Sequence, residues 1–157
     1  MNFNIHEVSE ICNGELSNST QGEIEIQTIS FDSRKIVEAE HCLFFALVTE
    51  RNNGHAYLLD AYTKGVRAFA VSQDVDLPKD ACIVKVENTL KAAQILAGYH
   101  RNKFDYPVLG ITGSNGKTIV KEWLYQVMHS DFKIARSPKS FNSQIGVPLS
   151  LSLLNEW

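Results

Sequence analysis

Residues 110–118 read G-I-T-G-S-N-G-K-T, a glycine-rich turn that ends in Gly-Lys-Thr. Gly113 and Gly116 can take positive φ and let the backbone come close to a ligand. The N–H groups of Gly113, Ser114, Asn115, Gly116, Lys117 and Thr118 then face one concavity, at the positive end of the helix that follows. A chain of phosphates suits that geometry. Lys117 would reach the β- and γ-phosphates, and the Thr118 hydroxyl is placed to ligate Mg²⁺. The spacing departs from the common loop G-x-x-x-x-G-K-[ST], which wants glycine at 111, where Ile111 stands; Gly110 comes one residue early. The plainer reading is a glycine turn carrying an ordinary surface lysine.

Such a loop needs a strand before it and a helix after it. Residues 106–112 (YPVLGIT) read as a short buried strand. Residues 117–129 read as a helix, with Val120, Leu124, Val127 and Met128 at helical spacing. A short strand near 132–135 and a last helix from about Ser143 would follow. Upstream, Asn4 can cap a helix over 5–12 that Asn13-Gly14 ends. Residues 23–31 (EIEIQTISF) alternate like a half-exposed strand, and 42–48 (CLFFALV) form an apolar run suited to a central strand. Residues 54–64 are helical in pattern, 68–71 and 83–86 are short buried strands, and 88–104 are the clearest helix, capped by Asn88. Asp105-Tyr106-Pro107 is a natural domain join, since proline disfavours helix in the residue before it. The chain ends inside an apolar helical pattern and looks truncated, with few of the strands a doubly wound nucleotide domain needs.

With 157 residues, the chain has room for one domain, or one plus part of another. No apolar run is long enough to cross a bilayer, and the polar start is no signal peptide. Cys12, Cys42 and Cys82 are isolated, which argues for reduced thiols in a cytoplasm and against a zinc site; His41 beside Cys42 reads as a strand edge. The sequon at Asn18 is then a chance match. Residues 1–88 carry 7 basic and 14 acidic side chains, and residues 89–157 carry 8 and 4, so the loop lies in the basic part. No run of basic residues interleaves with aromatics, so nucleic acid is excluded as an expected partner. Asn102-Lys103-Phe104-Asp105 spells a guanine-reading tetrapeptide, but it precedes the loop instead of following it. No acidic residue follows an apolar strand after Lys117 to supply a second Mg²⁺ ligand.

Several stretches, in order, resemble the ATP-dependent Mur ligases of peptidoglycan synthesis. The likeness is strongest to the branch that joins D-alanyl-D-alanine to UDP-N-acetylmuramoyl-tripeptide. The stretches are Ser30-Phe-Asp-Ser-Arg34, Cys42-Leu-Phe-Phe-Ala-Leu47, Asn53-Gly-His55, the loop itself and Ser137-Pro-Lys-Ser-Phe-Asn-Ser-Gln-Ile-Gly-Val-Pro148. The family's loop has the displaced first glycine. Lys121-Glu122 also looks more like this branch than like a sister branch. Departures are Ile119, where a second threonine is frequent, Ser143 in place of the second residue of an asparagine pair, and Asn53 where an aspartate is common.

The resemblance implies a small mixed α/β N-terminal domain over 1–105 that holds the UDP end of the UDP-MurNAc-peptide. The first part of a P-loop, doubly wound ATP-binding domain would follow over 106–157. Ser33 would donate a hydrogen bond to the nucleotide sugar, helped by Arg34, Arg51 and Asn52. ATP would lie on Gly113, Ser114, Asn115, Gly116, Lys117 and Thr118 with Asn142 near by, Lys117 would be catalytic, and Thr118 would ligate Mg²⁺. The residues themselves leave a second reading open. Asp32-Ser33-Arg34 also suits a strand-end turn capped by Asp32 with Arg34 on the surface, and Asn142 suits a helix cap. His55 reads as structural, capping or packing at a helix start. A cytoplasmic monomer acting on small molecules, without insertion in a membrane, is the expectation. The rivals are a related ligase of folylpolyglutamate synthase type and a non-catalytic P-loop nucleotide-binding module.

Overall fold

A computed structural model describes residues 1–17, 24–50, 52–137, 141 and 143–155. Strand β1 (Phe3–Asn4) leads into helix α1 (Ile5–Ile11). The helix starts where expected because Asn4 and Glu7 exchange bonds: Glu7 N–H donates to Asn4 Oδ1 at 2.9 Å, and Asn4 N–H to Glu7 Oε2 at 2.8 Å. Asn13 takes the left-handed conformation (φ 50°) that turns the chain out of α1. The alternating stretch at 23–31 is not one strand. It breaks at Gln27 into β3 (Glu25–Ile26), paired antiparallel to β1, and β4 (Thr28–Ser30), which joins the main sheet.

That sheet has the order β2-β9-β8-β5-β4, with β2 (Glu15–Ser17), β5 (Cys42–Phe45), β8 (Ala68–Val71) and β9 (Cys82–Lys85). Four strands are parallel, and β2 closes one edge antiparallel. All four residues of β5 and of β8 are buried, as interior parallel strands covered on both faces should be. Alternate residues feed two cores. Leu43, Phe45, Ala68, Ala70 and Val84 pack with α1 and with α3 (Thr89–Arg101); Phe44, Phe69, Val71 and Ile83 pack with α2 (Leu58–Thr63). This is a three-layer mixed α/β unit. Asn88 caps α3 by accepting from Lys91 N–H at 2.9 Å, and Ala93, Leu96 and Ala97 face inward as the periodicity predicts.

Two expected strands are absent among the described residues. Residues 106–112 take no regular structure, with Val108 70% and Leu109 66% exposed, and 132–135 form no strand. A strand exists through its ladder, and no described strand lies beside either segment. Helix α4 (Lys117–Met128) does form, yet it has no buried residue: Trp123 is 65% and Val127 74% exposed. Helix α5 (Gly146–Leu151) docks on α3. Around this seam, Gln94 Nε2 donates to Gln144 O at 3.3 Å, His100 Nε2 to Leu154 O at 2.9 Å and the Met1 amine to Ser152 O at 3.3 Å.

Candidate functional site

The predicted residues fall into two groups, one before residue 105 and one after it. The first group is the loop before α4. Gly113 (φ 147°) and Gly116 (φ 78°) take the positive φ that L side chains rarely adopt, and an added Cβ at Gly116 would meet nothing within 4 Å. Gly116 is the N-cap of α4 and no side chain caps the helix, so its positive end stays open toward the loop. Residues 112–116 are exposed. The Lys117 Nζ donates back to the Gly113 carbonyl, which holds the ammonium against the turn. Farther along α4, Lys121 Nζ donates to Ser137 O at 2.8 Å, and Arg136 pairs with Glu122 while lying over the Tyr125 ring at 3.8 Å. These contacts tie the segment after the helix back onto it. Asn142 and Arg51 lie outside the described residues.

The Thr118 hydroxyl sits one residue inside the helix, the position a phosphate-bound Mg²⁺ uses. Among the described residues, no group of three His, Cys, Asp or Glu could hold a metal by itself. Thr118 could supply one oxygen to an ion, and the remaining ligands would have to come from phosphate and water.

The second group is the 3-10 turn Ser33–Lys35 with the hairpin formed by β6 (Val48–Thr49) and β7 (Asn52–Asn53). Here the capping geometry is realised. Asp32 Oδ1 accepts from Arg34 N–H at 3.1 Å, and the carboxylate takes the Arg34 guanidinium in two bonds of 2.9 Å. That guanidinium pulls the Asp32 carboxyl down to about 2. The Arg34 side chain is exposed, whereas Ser33 is buried. Helix α2 holds Ser33. The Ser33 carbonyl accepts from Lys64 Nζ at 3.0 Å and Lys64 pairs with Asp60 at 2.8 Å, while Lys64 and the near Ser33 hydroxyl hold the Asp60 carboxyl below its usual range. Tyr57 braces the hairpin: its hydroxyl donates to Asn52 Oδ1 at 3.3 Å. Tyr57, Asp60 and Lys64 were not singled out from sequence. The only signal was the Asp60–Lys64 spacing of four on a helix.

His55 does what a structural residue would. Asn53 Oδ1 accepts from both the His55 backbone N–H (3.0 Å) and Nδ1 (2.8 Å), and the far nitrogen, Nε2, accepts from Ser72 N–H at 3.1 Å. Gly54 between them has no room for a side chain: a Cβ would lie 2.6 Å from Leu47 N and 2.8 Å from Ala46 C. A cleft of about 480 Å³ opens elsewhere, between the β4 edge and α5, with Ser30, Ile36, Phe141 and Leu149 on its walls. It includes none of the predicted site residues.

No family model matches the chain. It is 31% identical over 153 residues to the UDP-N-acetylmuramoyl-tripeptide–D-alanyl-D-alanine ligase of Bacillus subtilis, covering 97% of this chain and 33% of that relative. A crystal structure of MurF from Acinetobacter baumannii superposes with a TM-score of 0.87 at 25% identity, over 99% of this chain and 34% of that one. The MurF ligase of Thermotoga maritima, solved in complex with ADP, gives 0.68 at 28% identity over 80% of this chain and 28% of that one. The chain spans about a third of the length of the curated relatives it matches. It belongs to the Mur ligase family, and the relatives it resembles are the MurF ligases.

Proposed function

We propose that this chain supplies the nucleotide-sugar-binding domain, residues 1–105, and the start of the ATP-binding domain, residues 106–157, of a cytoplasmic MurF-type ligase. The whole enzyme would join D-alanyl-D-alanine to UDP-N-acetylmuramoyl-tripeptide at the expense of ATP, with small molecules as its only partners. The observation that carries this reading is the open glycine turn at the uncapped start of α4, with Lys117 folded over it, in a chain matched along its length to these ligases.

In such a reaction the γ-phosphoryl passes to the acceptor carboxylate, giving an acyl phosphate. The dipeptide amine attacks that carbon, and phosphate departs through a tetrahedral intermediate. Negative charge spreads over the transferred group, so fixed cations and backbone dipoles provide most of the acceleration. Lys117 would bring its ammonium from Gly113 to the phosphate tail. The N–H groups of Gly113–Thr118 would hold the oxygens, with Asn142 near by. When bound through Thr118, Mg²⁺ would neutralise charge between the phosphates. On the other side, Arg34, Arg51, Asn52 and Ser33 would bind the UDP end.

The test is a ligation assay on the whole polypeptide, with UDP-N-acetylmuramoyl-tripeptide, D-alanyl-D-alanine and ATP. The expected result is one phosphate released per amide formed, and loss of at least about 10²-fold in kcat for Lys117→Ala. A whole polypeptide that binds ATP but joins no amide would leave a nucleotide-binding module instead. The 157-residue chain alone should not ligate.

A further inference from the structure

The geometry points to His55 as a positioning residue for the nucleotide sugar: a neutral imidazole, protonated on Nδ1, that pins the paired strands β6 and β7 to the end of β8. This rests on the reading that the hairpin contacts the UDP end.

The tautomer follows from the partners. Asn53 Oδ1 already accepts the His55 backbone N–H, which identifies it as the oxygen, so the His55 Nδ1 at 2.8 Å must carry a proton. A backbone N–H can only donate, so Nε2 must present its lone pair to Ser72 at 3.1 Å. A charged imidazole would bring a second N–H against the Ser72 N–H. The fold therefore selects one of three protonation forms, and burial lowers the His55 pKa in the same direction.

The ring spans two places the chain keeps 17 residues apart. On one side is the hairpin, held internally by Thr49 Oγ1, which donates to Asn52 O at 3.2 Å and accepts from Asn52 N–H at 3.1 Å. On the other is Ser72, directly after the buried strand β8. Asn53 Nδ2 adds a longer bond to Gln73 Oε1 at 3.5 Å. Gly54 presses the hairpin's foot onto the end of β5, with Gly54 N–H donating to Leu47 O. The exposed hairpin carrying Asn52 thus takes its position from the sheet through His55.

The test uses the whole polypeptide with His55→Leu, which removes both bonds, and His55→Gln, whose amide offers one donor side and one acceptor. Expected for His55→Leu is a rise of about tenfold in KM for UDP-N-acetylmuramoyl-tripeptide, within the net worth of the two lost hydrogen bonds, with kcat and KM for ATP within twofold of wild type. His55→Gln should recover most of the loss. Long-range ¹H–¹⁵N spectra of the 157-residue chain should show His55 protonated on Nδ1. An unchanged KM for the nucleotide sugar in His55→Leu, equal losses for both substrates in step with a lowered Tm, or a proton on Nε2 would each overturn the assignment. If the wild-type enzyme has no affinity for the nucleotide sugar, the proposed function falls and takes the positioning role with it. A normal wild type beside a normal His55→Leu sinks the positioning role alone.

Discussion

The sheet of residues 1–101 and the helix α4 are built from similar raw material and end in opposite states. Strand β5, with Leu43, Phe44 and Phe45, is sealed between two helical layers, and each alternate residue finds a core. Helix α4 is as regular and carries Val120, Trp123 and Val127, yet none of its residues is buried. Segment 106–112 before it is rich in strand formers and pairs with nothing described. Periodicity sets what an element could bury; only a partner at the right distance decides whether it does. The polar loop between these exposed pieces keeps its shape regardless, because two glycine φ angles and one lysine bond define it locally.

The contrast makes ordered predictions. The largest effect should come from Phe69→Ala, which empties the centre of the sheet and should cost about 3–5 kcal/mol in denaturant unfolding of the 157-residue chain. A cost under about 1 kcal/mol would mean this core is not closed. Next, Asn4→Ala removes the reciprocal cap of α1 and should cost about 1 kcal/mol. Retention of Glu7 should not rescue it, since the box needs both partners.

His100 probes the seam between the regions. It is buried between Phe3 and Phe104, with Nε2 on Leu154 O and Nδ1 buried without a partner among the described residues. Burial pushes its pKa down, and the Met1 amine and Lys103 add to this, while the bond to Leu154 works the other way. The unfolded chain takes up the proton near pH 6.5 and the folded one only lower. Stability from this group is therefore complete above about 6.5 and is lost as pH falls through the depressed value. His55 titrates in the same sense. Melting curves from pH 7.5 to 5 should show falling Tm, with a shallower slope in His100→Gln.

The smallest effect belongs to Trp123→Ser. In the 157-residue chain it should change stability by no more than about 0.5 kcal/mol. In a longer polypeptide that covers α4, the same change should cost several times as much. Equal costs in both would remove the contrast.

What could be read beforehand divides along the same line. The caps at Asn4 and Asn88, the inward face of α3 and the apolar run of β5 are local signals, and the fold follows them. The turn before α4 follows the same kind of local signal, since Gly113 and Gly116 take the positive φ expected of them. The break at Gln27 was not, because β3 and β4 serve different sheets whose partners, β1 and β5, lie on opposite sides in sequence. Nor were the bonds from Lys64 to the Ser33 carbonyl and from Ser72 N–H to His55, which join positions brought together only by folding. Strands at 106–112 and 132–135 failed for the converse reason: composition was right and the partners were not there.

Amide NMR of the 157-residue chain, titrated with MgATP to millimolar concentration, tests the phosphate-holding turn most directly. Shifts should concentrate on Gly113, Ser114, Asn115, Gly116, Lys117 and Thr118 and largely vanish in Lys117→Ala, with the sheet spectrum unchanged. Shifts centred elsewhere, or none in the loop at saturating nucleotide, would contradict it.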